Sequence, residues 1–204
     1  MPYIIAFVIF NSLLLYVFST PDFNISKIDT FFTEGWEKKG ALGVLIAILS
    51  YVMNSIVDRN IKASFIFWKF KNPMPGHEAF SRYGITDPRV DMKKLEREYG
   101  NLPTNQTDQN TLWYSIMKKN EGKQSVIWAN QQWLLTRDLT SLSVIFLLLS
   151  IPIYYFQAVS FNTVASYYLI MIVIYTLCVI SATVNGVSFV TTVLAEESSK
   201  KEID

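Results

Sequence analysis

Val164–Ala195 reads VASYYLIMIVIYTLCVISATVNGVSFVTTVLA, thirty-two residues without a single Asp, Glu, Lys, Arg or His. At about 1.5 Å of rise per residue a helix of this length exceeds a ~30 Å hydrocarbon core, so it must tilt or emerge on one side. Three more apolar runs precede it: Tyr3–Phe18, Ala41–Val57 and Leu139–Phe156, the last with Pro152 near its far end. None has an Asp, Glu, Lys, Arg or His in its interior. Together the four runs predict an all-α membrane protein, four transmembrane helices arranged as two hairpins. Residues 1–57 form the first hairpin and 139–195 the second, and a charged tail occupies 196–204. Between the hairpins lies a polar stretch, 58–138, expected to be a small helical cytosolic module.

The first run is the weakest of the four, on the short side of the ~17–25 residues of a spanning helix. A cleaved signal peptide competes for it. No Lys or Arg precedes the run, and the small-residue cleavage pattern is poor, which favours an uncleaved span. Pro21–Gly40 then reads as a connecting loop whose Phe31, Phe32 and Trp36 suit a membrane interface.

Charge placement sets the expected orientation. Thirteen of the eighteen Lys and Arg fall between Arg59 and Arg137, whereas the turn Gln157–Thr163 has none. The positive-inside rule places the central segment and both termini on the cytosolic side of the cell inner membrane. The single cysteine, Cys178, excludes an intramolecular disulfide and a multi-cysteine metal site.

Ile61, Phe65 and Trp68 repeat at helical spacing, so the second helix is expected to run on beyond the bilayer until Asn72-Pro73. Lys62, Phe65, Trp68, Lys69, Phe70 and Lys71 mix cations with aromatics as membrane-surface belts do, and Arg137 marks the matching boundary before the third run. Further on, Met92, Leu95 and Tyr99 share a helical face that Gly100 ends. Leu112, Trp113, Ile116 and Met117 make the apolar side of a helix that Asp108 can cap. Ser125 can open a third helix, with Ile127, Trp128 and Leu134 facing inward.

Three groups of residues invite a chemical reading. His77 is the only histidine, too little for a metal centre and without a nucleophile-elbow pattern beside it; a turn residue is the plainer reading. Asp87 and Asp91 stand four apart near Lys93 and Lys94, a nuclease-like set, but helix capping accounts for both aspartates. The central segment holds thirteen basic and nine acidic residues. That excess suits anionic lipid, and also a nucleotide or nucleic-acid ligand; contact with the membrane surface makes nucleic acid the lesser reading. No cofactor is implied. Within the spans, Gly43, Ala47, Ser50 and Asn54 fall on one helical face, and Cys178, Ser181, Asn185, Ser188 and Thr192, with Gly186 beside them, on another. Such stripes let helices pack closely and hydrogen-bond across, Asn54 being the partner expected for Asn185; lining of a water path in a homo-oligomer is the alternative.

Pro75-Gly76-His77-Glu78-Ala79-Phe80, Asp87-Pro88-Arg89-Val90-Asp91, Gln109-Asn110-Thr111-Leu112-Trp113-Tyr114 and Thr136-Arg137-Asp138, in that order, resemble a family of small, uncharacterised bacterial multi-pass inner-membrane proteins. The resemblance spans about a third of the chain and implies the four-helix membrane architecture; it brings no activity. Small multi-pass proteins with a cytosolic module recur among anti-phage defence components, an analogy of architecture alone. The expected function is a non-enzymatic membrane protein whose cytosolic module binds or senses a protein partner or small ligand at the bilayer. The alternative is an oligomeric, channel-like or membrane-permeabilising effector in bacterial stress or anti-phage defence.

Overall fold

The computed structural model describes residues 2–19, 36–157 and 159–200, with side chains in the second helix described from Val44 onward. The connecting loop with Phe31 and Phe32, and the surroundings of Trp36 and Gly43, lie outside the described residues. Among the described residues the secondary structure is entirely helical. Among those residues the longer helices follow in order: α1 (Pro2–Ser19), α2 (Trp36–Ile56), α3 (Arg59–Phe67), α4 (Met92–Tyr99), α5 (Gln106–Asn120), α6 (Gln124–Gln157) and α7 (Phe161–Ser198). α1, α6 and α7 are long and apolar enough to cross a membrane, and α2 with α3 would make a fourth if that broken pair is one span.

The chain divides into two compact units. Met1–Asp58 with Asp138–Cys178 form one, Arg59–Arg137 with Val179–Asp204 the other, so α6 and α7 each contribute to both.

In the first unit the core is Val8, Leu15, Ile46, Leu142, Phe146, Tyr154, Tyr167 and Met171. Tyr154 and Tyr167 meet edge to face at 5.3 Å between centroids, with Tyr168 and Phe18 completing the aromatic group. Polar side chains are buried beside this core: Asn11, Ser12, Ser50, Asn54, Thr140, Ser141 and Ser143. Several bond back to their own helix, Asn11 Nδ2 to the Phe7 carbonyl and Ser50 Oγ to that of Ile46. Large apolar residues instead face outward, among them Ile5, Ile9 and Phe10 on α1, Val44, Leu45, Ile48 and Leu49 on α2, and Leu169, Ile172 and Val173 on α7. Polar inside and apolar outside is the arrangement favoured where the surroundings are hydrocarbon.

In the second unit the core gathers Ile66, Phe80, Tyr83, Leu95, Trp113, Ile116, Val126 and Trp133 around Ala182, Phe189, Val190, Val193 and Leu194 of α7. The last five turns of α7 are thus the centre of this unit. Glu196 and Glu197, read from the sequence as the start of a tail, lie inside that helix. Glu197 is fully buried and accepts hydrogen bonds from Tyr99 Oη and Asn120 Nδ2. Glu196 accepts from Ser125 Oγ and pairs with Lys123. These partners offset the desolvation of carboxylates held within a helix.

Other local expectations change for similar reasons. The second apolar run and the residues after it do not form one continuous helix: α2 ends at Ile56, and α3 starts afresh at Arg59. α3 then stops at Phe67, because Trp68 adopts a left-handed backbone with φ 54°. Its buried side is Lys62, Ala63 and Ile66, while Ile61 and Trp68 are exposed. Asn105 caps α5 in place of Asp108, its side chain accepting from Thr107 N at 2.8 Å. In the first three turns of α6 the buried positions are Val126, Ala129 and Trp133, whereas Trp128 and Leu134 are exposed. The face is shifted by one residue because Gly186 of α7 admits the Trp133 ring: a Cβ at Gly186 would lie 2.9 Å from it.

Asp91 caps α4 as expected, accepting from Lys94 N at 3.0 Å. Asp87 does something else. It accepts from Arg89 N and is held by the Arg89 guanidinium at 2.7 Å, and Arg89 also donates to Thr191 of α7. The hydrogen bonds from Arg89 hold the Asp87 carboxyl well below the usual carboxylate range. Since its folded pKa lies below the unfolded one, ionised Asp87 stabilises the fold above about pH 4 and that contribution is lost as pH falls through the folded value. Asp87→Asn should therefore melt below the wild type at neutral pH, with the gap narrowing on acidification; thermal unfolding of the full chain in detergent measures both.

Candidate site: a polar and aromatic cleft in the second unit

A cleft of about 490 Å³ opens in the second unit. Its wall is built from segments far apart in sequence: Arg59 and Asn60 at the start of α3, Met74–His77, one side of α5, the α6 residues Asn130, Trp133, Leu134 and Arg137, and Phe189 of α7. A single tight turn makes this assembly possible. Met74 enters it extended, Pro75 sets the first helical position, and Pro75–Glu78 form one turn of 3₁₀-helix. The following Ala79–Tyr83 turn is a π-helix, wide enough to leave the Phe80 and Ser81 amides unpaired within the helix.

Gln109 meets those amides. Fully buried, it accepts through Oε1 from Phe80 N, Ser81 N and Ser81 Oγ, each at 3.1 Å, and donates through Nε2 to the Thr104 carbonyl. One side chain thereby fixes the Pro-Gly turn against α5. One position along, Asn110 faces the cleft, and Trp113 lies a turn further. Gly76 packs so closely here that a Cβ would fall 2.4 Å from Asn110 Oδ1 and 2.7 Å from the Trp113 ring. Trp113 in turn stands edge to face on Phe189 at 5.2 Å and donates from Nε1 to the Val190 carbonyl at 3.3 Å. Its body is buried and its one polar atom is satisfied, as a large amphipathic ring requires.

The charges near the turn are largely matched. Glu78 pairs with Lys69 and with Arg82, the latter at 3.1 Å. Burial alone would raise the Glu78 carboxyl, but the hydrogen bonds and charges of Lys69 and Arg82 outweigh it and lower the pKa. Burial, with the nearby Glu78 charge, pushes the Tyr83 phenol up to about 12. His77 Nδ1 lies 2.9 Å from the Gln106 carbonyl, to which it donates, leaving Nε2 as the ring's other polar atom.

The motif residues of the sequence reading separate into two groups. Pro75, Gly76, Trp113 and Tyr114 line the cleft, with Phe80 buried behind the turn. Asp87, Pro88, Arg89 and Asp91 lie away from it, on the end of α7, where the Asp91 amide donates to Ser198 Oγ at 3.2 Å. Of the residues read as a membrane-surface belt, Phe70 and Trp68 are exposed, Phe65 is half-buried and Lys71 is exposed. Lys69 is held by Glu78, Lys62 is buried, and Arg137 lines the cleft. The small-residue stripes divide as well. Ser50 and Asn54 are buried with Ala47 half-buried, and Cys178 and Ser188 are half-buried. Ser181 is exposed and Thr192 half-buried. Asn185 Nδ2 donates to the Ser181 carbonyl of its own helix at 3.0 Å, an available partner for an amide in apolar surroundings. Cleft residues left without a role in the sequence reading are Asn60, Asn130 and Trp133, while Arg59 was marked only by its charged pair with Asp58 at the border of the second apolar run.

No protein-family model matches the chain, and comparisons with curated proteins and with solved structures find no match. Gly76→Ala should cost about 1–3 kcal/mol, the usual range for overpacking, because the Trp113 ring behind it is fixed by Phe189 and Val190. Chemical denaturation followed by tryptophan fluorescence measures it, and a neutral result would show that the turn and ring can separate.

Proposed function

We propose that this chain is a non-enzymatic, membrane-anchored binding protein whose ligand enters the cleft of the second unit. The observation that carries the reading is the convergence of the Pro75-Gly76 turn, α5 and the arginines Arg59 and Arg137 on one cavity. Its volume falls in the range of small-ligand sites, and its wall mixes aromatic surface with a few polar groups. Among the described residues, that wall has amides, hydroxyls, one imidazole and two guanidiniums but no carboxylate or thiol. Such a set orients and holds a ligand; it does not assemble an acid–base pair or an activated nucleophile.

In this reading four spans form two hairpins in the bacterial inner membrane, with 58–138 and both termini on the cytosolic side. The bias of Lys and Arg to the central segment supports that orientation. The outward apolar faces of α1, α2 and α7 support a lipid setting. Reporter fusions after Phe18, within Asn101–Asp108, after Ser160 and at Asp204 should read outside, inside, outside, inside; an outside signal from the central fusion would remove the cytosolic module.

A second reading, an oligomeric channel-like effector of the kind found in anti-phage defence, is favoured by one observation. Asn11 Oδ1, Ser12 Oγ, Asn54 Oδ1 and Ser141 Oγ are buried in the first unit without a hydrogen-bond partner among the described residues. Water in a path through an assembled form would satisfy them. Conductance of the purified protein in planar bilayers separates the two readings.

The ligand reading is tested with the full chain in lipid nanodiscs, screened against soluble metabolites by thermal unfolding. A ligand should raise the midpoint saturably. Thr111→Trp, which adds a bulky ring from an exposed helical position on the cleft wall, should abolish that rise while leaving the unliganded midpoint within a few degrees. A rise that survives Thr111→Trp would place the ligand elsewhere.

A further inference from the structure

The segment that follows α3 is built outward. Phe70 is 93% exposed, more than any other large apolar side chain among the described residues, and Trp68 is 71% exposed. The backbone that presents them is not slack. Trp68 and Asn72 both take left-handed conformations, with φ 54° and 52°, which a residue with a Cβ adopts only at a cost. Beside the two rings the chain is tied down. Phe67 tilts against the Trp133 ring at 6.0 Å, Lys69 pairs with Glu78, Asn72 Nδ2 donates to Gln106 Oε1 at 3.1 Å, and Pro73 is buried. Phe67 and Lys69 thus turn inward, Trp68 and Phe70 outward. A loop fastened at these points and strained at two displays its aromatic rings at a fixed place, which marks a contact surface.

Charge and position along the chain indicate what covers the rings. From Arg59 to His77 there are four Lys and Arg and no Asp or Glu. Lys62 is buried and Lys69 is turned to Glu78, so Arg59 and Lys71 are the exposed cations of this stretch. Aromatic rings beside an exposed cation suit an anionic bilayer surface, where the rings sit at the headgroup–acyl boundary and the ammonium meets lipid phosphate. Trp68 comes eleven residues after Val57, the last residue of the second apolar run. Two extended residues and the nine of α3, at about 1.5 Å each, keep it within about 20 Å of that run whatever direction α3 takes. Exposed rings also mark the turn between α6 and α7, where Tyr155, Phe156 and Phe161 are 82–83% exposed. Rings therefore flank the apolar runs at the central segment and at the far turn, as they do at membrane interfaces.

We infer that Trp68–Lys71 is a membrane-contact finger by which the second unit rests on an anionic bilayer surface. Phe70 and Trp68 enter the boundary between headgroups and acyl chains, and Lys71 meets the anionic headgroups. The belt expected from the sequence thereby narrows to three side chains. None of Trp68–Lys71 lines the cleft, so the finger needs no ligand there.

The experiment uses the full chain in nanodiscs, with Cys178→Ser and an environment-sensitive fluorophore on Phe70→Cys. A second protein carries the same label on Gly122→Cys, in the open turn before α6, where a Cβ would meet nothing within 4 Å. A nitroxide near the headgroup end of the acyl chain should quench the Phe70→Cys label about threefold more than the Gly122→Cys label. Aqueous iodide should quench it about threefold less. Adding phosphatidylglycerol to phosphatidylcholine discs should raise the lipid quenching, and Lys71→Glu should cancel that rise. Phe70 and Lys71 are exposed, so these variants leave the core intact and should unfold in detergent at the parent's midpoint. A Phe70→Cys label as open to iodide as the Gly122→Cys label overturns the inference. A label shielded from iodide yet untouched by the lipid nitroxide places protein, not bilayer, over the finger and overturns it too. So does quenching that neither phosphatidylglycerol nor Lys71→Glu changes.

Discussion

Trp113 has to bury a large ring and still satisfy its N–H, and the second unit is arranged around that requirement. The ring is met by Phe189 and the N–H by the Val190 carbonyl, both on α7. Val190, Val193 and Leu194 of this stretch are fully buried. The opposite side of the ring lies so close to the Pro75-Gly76 turn that only a residue without a Cβ fits at 76. One aromatic side chain thus connects α7, α5 and the turn, and the cleft is the space left along its edge.

Polar groups are handled differently in the two units. In the second, Glu197 is bonded by a phenol, an amide and a lysine, and Gln109 fulfils three acceptor contacts and one donor contact, with Asn120 Oδ1 left without a partner among the described residues. Such networks specify one arrangement, since displacing any member leaves a buried polar atom unpaired. In the first unit buried hydroxyls and amides bond mainly to their own helix, and a few oxygens have no partner among the described residues. Bonds within a helix do not specify which neighbour it packs against. There, aromatic contacts among Tyr154, Tyr167, Tyr168 and Phe18, and the bond from Ser150 Oγ to Tyr168 Oη at 3.0 Å, join separate helices.

The short motifs that run along the central segment owe their character to these contacts. The Asp-Pro-Arg-Val-Asp stretch binds the end of α7 through Arg89 and Thr191 and through Asp91 and Ser198. The Gln-Asn-Thr-Leu-Trp-Tyr stretch divides by helical position: Gln109 and Trp113 turn inward as structural ties, while Asn110, Thr111 and Tyr114 line the cleft. A motif of six residues on a helix presents two faces, so part of it builds the site and part displays it.

Long apolar runs free of Asp, Glu, Lys, Arg and His determined from sequence alone that the chain is helical and suited to a membrane, because hydrocarbon admits backbone polar groups only when a helix satisfies them. Periodicity also placed Leu95, Trp113 and Ile116 inward, and capping chemistry placed Asp91 at the start of α4. These are local properties, set within a turn or two of the residue concerned. The inward face of α6 and the helical course of Glu196 and Glu197 were decided by partners more than fifty residues away. Trp133 turned inward because Gly186 leaves room for it, and Glu197 stayed helical because Tyr99 and Asn120 desolvate with it. The cleft belongs to the same category. Arg59, Gly76, Asn130 and Phe189 have no common sequence pattern, and only packing around the Trp113 and Trp133 rings brings them to one cavity.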